Sequence, residues 1–154
     1  MKVKIKRLHE DAVIPQYAKA GDAGLDLTAV EDATVKNNTA TYKTGLAVEI
    51  PEGHVGLIIP RSSIYKTGNR QSNCVGVIDS GYRGELLVKH DVSTGVLAAL
   101  IDNDTETYAA LNPYKKGDRI AQLIIIPYPQ IELEEVMELS DSSRGEGGFG
   151  STGA

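Results

Sequence analysis

The chain has 154 residues, a formal net charge of −5, 41% hydrophobic residues and 24% charged residues. That length supports one domain with a real hydrophobic core, and the acidic balance excludes a generic pull toward nucleic acid or anionic membrane. Cys74 is the only cysteine, so an intrachain disulfide is excluded and a reducing compartment is expected.

The opening MKVKIKRLHED is charged throughout and lacks an apolar secretory core. No apolar run approaches the ~20 residues of a membrane helix, so a cytoplasmic location is expected. Lys2 to Leu8 alternates, with Val3 and Ile5 on one face and lysines on the other, which predicts a half-buried strand. Thr39 to Ile50 is rich in Thr, Tyr, Val and Ile and stops at the turn Pro51-Glu52-Gly53. Val55 to Ile59, closed by Pro60, is a further strand. Ser63 to Lys66, after Ser62 as cap, predicts a short turn of helix. Val75 to Ile78, Leu86 to His90, Ile120 to Ile126 and Ile131 to Met137 complete the strands. Short β-prone runs between Gly, Pro and Asn turns predict an all-β sandwich, jelly roll or barrel. Residues 91–112 read as a hairpin or excursion between core strands.

The tail from Ser140 to Ala154 holds five of the sixteen glycines and has little to bury, so composition makes it mobile when free. It also holds the only phenylalanine, Phe149, and a solvated tail has no need of an aromatic between glycines. The expectation is a flap that orders on a ligand, with Arg144 as a phosphate fork, Phe149 as a stacking face, and Ser151 and Thr152 as donors.

No GxxxxGK[ST] or GxGxxG loop and no GxSxG elbow occurs, and the three histidines lie far apart from one another and from Cys74. Four interior segments carry the remaining chemistry. In Ala20-Gly21-Asp22-Ala23-Gly24-Leu25-Asp26-Leu27 a carboxylate begins a strand. Pro60-Arg61-Ser62-Ser63 combines a guanidinium, two hydroxyls and backbone N–H groups into a small anion site. Asn73 to Gly84 reads as a hairpin with Asp79 and Tyr82 three residues apart. Gly117 to Leu123 is a turn entering a strand. Alone, Asp26 or Asp79 reads as a turn carboxylate, Tyr82 as a packing residue, and Arg61 with Asp118 as a structural ion pair.

Taken in order, AGDAGLDL, PRSS, NCVGVIDSGYRGEL, GDRIAQL and RGEGGFGSTG closely resemble the five motifs of the trimeric dUTP pyrophosphatase family, across nearly the whole chain. The resemblance implies a β jelly roll of the β-clip type, residues 1–139, with an insert at about 91–112 and a C-terminal flap, residues 140–154. It implies a homotrimer with three sites at subunit interfaces, dUTP as substrate, and Mg²⁺ held by phosphates and water with no direct protein ligand. Asp79 matches the carboxylate that activates the attacking water, and Asp26 one that supports the metal-water network. Tyr82 would pack on the deoxyribose and reject a 2′-OH. Asn73, Gly76, Val77 and Ile78 would read uracil from the hairpin. Arg61, Ser62, Ser63 and Gln122 would hold phosphates, and Asp118 would pair with a basic residue such as Arg61. Arg144, Phe149, Gly150, Ser151 and Thr152 would close over the nucleotide.

Two departures stand out. Ser63 replaces a glycine common in the family, and the 91–112 insert is a feature of certain bacteriophage members, which makes a phage origin, and then a host cytoplasm, plausible. Two other readings compete. A dCTP deaminase shares the fold, but its catalytic glutamate maps onto Lys89, which cannot act as that carboxylate. A regulatory binding role would use the insert, acidic at Asp91, Asp102, Asp104 and Glu106 and apolar from Val96 to Ile101.

Overall fold

The structure is a computed structural model that describes residues 1–67, 69–91 and 114–148. The strands are β1 (Lys4–Arg7), β2 (Leu25–Thr28), β3 (Thr34–Lys36), β4 (Thr39–Lys43), β5 (Leu46–Glu49), β6 (His54–Ile59), β7 (Arg70–Gln71), β8 (Gly76–Ile78), β9 (Leu87–Asp91) and β10 (Arg119–Pro127). They form two four-stranded sheets, ordered β2-β10-β6-β8 and β3-β4-β9-β7, and a two-stranded β1-β5 ribbon. Every pairing is antiparallel. The architecture is the expected all-β jelly roll. Among the described residues no helix is long and apolar enough to cross a membrane.

Alternation decides which faces meet. In β4, Ala40 and Tyr42 point inward and Thr39 and Thr41 outward; in β9, Val88 and His90 point inward between Leu87 and Lys89. In β10 the consecutive residues Ile120 and Ala121 are both fully buried. An irregularity in the β2 register between Arg119 and Ala121 allows it, because a bulge breaks the period of two. Leu27, Tyr42, Leu46, Leu86, Val88 and Ile120 join these strands in one core. Tyr42, His90 and Tyr114 stack within it at centroid separations of 5.3 to 6.0 Å.

Several sequence expectations are corrected. Thr39 to Ile50 is two strands, because the chain turns at Gly45 with φ of +64°. A Cβ there would lie 2.8 Å from His9 Cβ and 3.0 Å from Ala12 Cβ, so the turn needs glycine. Ser62 is the first residue of a 3₁₀ turn, Ser62–Lys66, and not its cap; Arg61 occupies the capping position with no side-chain cap bond. Ile131 to Met137 forms no strand and is exposed; among the described residues no strand pairs with it. Residues 92–112 of the insert and Phe149, Gly150, Ser151 and Thr152 of the tail lie outside the described residues.

Candidate active site

The first candidate cluster sits at one end of the β2-β10-β6-β8 sheet. Asp26 on β2 faces Gln122 on β10, which pairs in turn with Ile59 at the end of β6. Pro60 then stops the strand, and Arg61 lies directly beyond it. This register brings residues separated by 35 and 96 positions onto one carboxylate. Arg61 Nε donates to Asp26 Oδ1 at 2.9 Å, Arg119 Nη1 to Oδ2 at 2.9 Å, and Gln122 Nε2 to Oδ1 at 3.3 Å. Arg61 Nη1 also reaches Ser63 Oγ at 3.4 Å. Gly24 makes room: a Cβ there would lie 2.9 Å from both Cδ and Nε2 of Gln122.

Two residues that sequence reasoning left without a role belong to this cluster. Arg119 supplies the second guanidinium on Asp26; its only sequence signal was its place three residues before Gln122. Tyr114 lies beside Ser63 and Arg61. Burial raises its phenol above the ordinary value, opposed by the neighbouring Ser63 and Arg61, and its hydroxyl makes no full hydrogen bond. The expected Arg61–Asp118 pair does not form. Arg61 is committed to Asp26, while Asp118 Oδ2 accepts from the Lys115 backbone N–H at 2.7 Å and shapes its own turn, in which Gly117 has φ of +89°. Asp118 braces the entry to β10 and not the guanidinium.

The second cluster grows from β8 at the other edge of that sheet. Asn73, Gly76, Val77 and Ile78 line a cavity of about 320 Å³ with Ile58, Gln71, Ser72, Leu87, Val88 and Lys89. The hairpin is held tightly: Cys74 adopts φ of +56° and its N–H donates to Gln71 O at 3.0 Å. Beyond β8 the Tyr82 N–H closes a turn onto Asp79 O at 3.0 Å. Tyr82 Oη donates to Glu85 O at 2.9 Å, and its ring covers Gly84, where a Cβ would lie 2.6 Å from Cζ. Only glycine at 84 lets the ring lie there. The Asp79 carboxylate is exposed and has no protein partner among the described residues. It lines a separate cavity of about 370 Å³ with His54, Val55, Leu57, Val77, Ser80 and Tyr128.

Among the described residues the two clusters line different cavities. Asp26 lines one with Val13 to Ala18, Thr28 and Arg119. Strands β2 and β8 are the opposite edges of a four-stranded sheet, which sets them roughly 14 Å apart at ordinary strand spacing. Ser62 is exposed beside Arg61. Arg144 is remote from both clusters in bonding, since its Nε donates to Gly147 O at 2.8 Å within its own turn.

The model of one known family matches residues 10–153, nearly the full chain; that family is dUTPase. This chain belongs to the dUTPase family. Curated relatives named deoxyuridine 5′-triphosphate nucleotidohydrolase agree with this. The one from Nautilia profundicola is 44% identical and aligned over 99% of both chains. The one from Thermobifida fusca is 42% identical over 99% of this chain and 79% of the relative. Among solved structures, a mutant dUTPase of Staphylococcus bacteriophage 80alpha with dUpNHpp superposes with a TM-score of 0.74, 32% identity and 99% coverage of each chain. A mutant dUTPase of phage phi11 of S. aureus, described with a structural Mg(II) ion, has a TM-score of 0.70 and 26% identity, over 92% of this dUTPase-family chain and all of its own.

Proposed function

We propose that this dUTPase-family chain hydrolyses dUTP to dUMP and pyrophosphate, with Asp79 as the base that activates water and Asp26 as the anchor of the phosphate side. One observation carries this division of labour. Asp79 is an exposed carboxylate without a protein partner among the described residues, while Asp26 is held by two guanidinium groups and an amide. An unpartnered carboxylate can accept a proton; one already clamped by Arg61 and Arg119 is better suited to fixing those cations where negative oxygens arrive. The relatives bear names for this reaction. A dCTP deaminase is not favoured, because Lys89 lines the hairpin cavity where that chemistry needs a carboxylate.

The base would enter the Asn73–Ile78 cavity, where peptide groups match the edge of uracil and little room remains for a 5-methyl group. The deoxyribose would lie on Tyr82, whose fixed ring leaves no space for a 2′-hydroxyl. Water held by Asp79 attacks the α-phosphorus in line, its proton passes to the carboxylate, and the bond to the bridging oxygen breaks to release pyrophosphate. Arg61, Ser62, Ser63 and Gln122 would hold the phosphate oxygens, and Asp118 would steady the strand that carries Gln122. Arg144, Phe149, Gly150, Ser151 and Thr152 would close over the nucleotide, within a division of residues 1–139 as catalytic body and 140–154 as flap.

Among the described residues no three of His, Cys, Asp and Glu gather as a metal site, and Asp26 is already engaged. The ion would be carried by the substrate's phosphates and water, with no side chain of the described residues as a direct ligand. Mg²⁺ bound in that way would neutralise part of the triphosphate charge.

A homotrimer completes the reading. The hairpin and the Asp26 cluster lie at opposite edges of one sheet, so a site that uses both is most simply built between copies. The exposed apolar segment 131–139 supports such an assembly. A regulatory partner on the 91–112 insert would be a separate role of the same assembly.

The test is to incubate the protein with Mg²⁺ and each dNTP or UTP and to measure pyrophosphate. Release from dUTP alone is expected, and its loss on Asp79→Asn with nucleotide binding retained. Intact dUTP in the wild-type reaction, or full turnover by the variant, would count against the reading.

A further inference from the structure

Gln71 contacts no proposed substrate group through a known role, yet its amide is the most heavily engaged side chain beside the base cavity. It is 4% exposed, on β7, opposite His90 in the register. Its Nε2 lies 3.0 Å from Ile58 O, 3.1 Å from Asn73 Oδ1 and 3.3 Å from Cys74 O. Ile58 is on β6 of the other sheet, so one amide joins the two sheets and the hairpin at the same point.

Two of those three acceptors are peptide carbonyls, which cannot exchange donor for acceptor. Gln71 must therefore present its NH₂ group, because the reversed amide would set an oxygen against three oxygens. The buried Gln71 Oε1, which has no partner, is left on the other side. With that orientation settled, Asn73 must turn its oxygen toward Gln71. The Asn73 NH₂ is then the free end, and it lies against Gly76, where a Cβ would be 3.3 Å from Nδ2. Asn73 and Gly76 both line the cavity.

We propose that Gln71 is a positioning residue that sets the polarity of the base pocket: it holds Asn73 with its N–H donors toward the bound pyrimidine, matching a carbonyl at the 4-position and opposing an amino group there. This rests on the reading that the Asn73–Ile78 cavity takes the base of dUTP. Uracil and cytosine differ at that position by this exchange of acceptor for donor, so a fixed amide separates them, whereas one free to turn would accommodate either.

The test compares kcat/KM for dUTP and dCTP in the assembled wild-type protein, in Gln71→Met and in Gln71→Glu, under alkaline conditions that keep the introduced carboxyl ionised. Methionine removes the donors and frees Asn73. The carboxylate supplies only acceptors, so Asn73 inverts to donate to it and turns its own oxygen toward the base. The dUTP-over-dCTP ratio is expected to fall several-fold in Gln71→Met and by at least about tenfold in Gln71→Glu. The loss for dUTP should appear in KM, with kcat within about twofold of wild type.

A purely structural residue would lower both nucleotides in parallel, and an unchanged ratio in both variants overturns the assignment. A wild-type chain that does not prefer dUTP to dCTP overturns it through the reading of the site itself. Should the glutamate variant fail to fold, amide NMR of the wild-type protein decides. The Asn73 side-chain NH₂ signals should shift on titration with dUMP, and the Gln71 NH₂ signals should stay protected from exchange. Unshifted Asn73 signals or rapidly exchanging Gln71 protons would overturn the proposal.

Discussion

Arg61 donates from Nε to Asp26 Oδ1 across 2.9 Å, with side chains only 22% and 12% exposed. Arg119 occupies the other oxygen from a more exposed position, 54%. Replacing the carboxylate by an amide leaves two cations facing a group that cannot balance them. For Asp26→Asn we expect a loss of about 1–3 kcal/mol, below the cost of breaking a fully buried pair because solvent screens Arg119. Activity on dUTP should fall more steeply than stability, since both guanidinium groups lose their anchor. Urea denaturation and pyrophosphate release on the same preparation check the two effects; a variant of wild-type activity would detach Asp26 from the site.

Gly24 separates geometry from stability in the same cluster. A methyl group there would meet Gln122 at 2.9 Å, at the flexible end of its side chain and not at backbone. The side chain can therefore swing aside at little energetic cost, but it then leaves Asp26. Gly24→Ala should keep its stability within about 1 kcal/mol of wild type while kcat/KM for dUTP drops roughly tenfold. Thermal melting and steady-state kinetics decide it. A large stability loss with normal kinetics would contradict the account.

Much of the fold is legible in the sequence because burial here follows the period of two. β6, β8, β9 and β10 were each expected within a residue or two of where they lie. β3 and β7 were not expected, since three and two residues are too short to show a period. Ile131 to Met137 begins with the alternation of a strand, but pairing is a property of two segments, and no described strand pairs with it. The candidate site is legible as a set of motifs and not as a set of bonds. Asp26 and Arg61 stand 35 positions apart, and nothing local indicates that Asp26, and not Asp118, receives the guanidinium. Gln71 was invisible for a similar reason: a glutamine before a turn reads as solvent-facing until two sheets are seen to meet on it.

His90 is wholly buried between Tyr42 and Tyr114, and neither ring nitrogen has a partner. Burial lowers its pKa from 6.5 to about 4, opposed by the adjacent Asp91 carboxylate. The unfolded chain thus takes up this proton near 6.5 and the folded chain only near 4. Between those values the unfolded state binds more protons, so stability declines as pH falls through that window, by roughly 3 kcal/mol in all. His90→Phe removes the titration and the two unpaired nitrogens without opening a large cavity. The variant's stability relative to wild type should therefore improve steadily from about pH 6.5 down to 4. Carboxylates such as Glu49, held low by the Lys4 ammonium, weaken both chains alike and cancel in the difference. Urea unfolding across this range measures it; a constant offset between the two proteins would refute the role of His90.

The segment after β10 places apolar side chains in water. Leu133, Met137 and Leu139 are 88%, 103% and 85% exposed, with Glu132, Glu134, Glu135 and Glu138 among them. A lone chain gains nothing from such an arm. In the proposed homotrimer a neighbouring copy would offer a counterpart in β1, a Lys-Ile-Lys-Arg strand paired on one side only among the described residues. An alternating apolar and acidic arm laid along an alternating basic edge would satisfy backbone donors, bury the leucines and pair opposite charges. Leu133→Asp combined with Met137→Asp should leave the β core intact by circular dichroism, because neither residue touches it. Sedimentation velocity should show the assembly dissociating. Turnover of dUTP should fall by about a hundredfold or more, because a single chain keeps the Asp26 cluster and the Asp79 hairpin in separate cavities. A double variant that stays trimeric and active would mean the arm plays no part in joining the copies, and dissociation with full activity would mean each chain is complete alone.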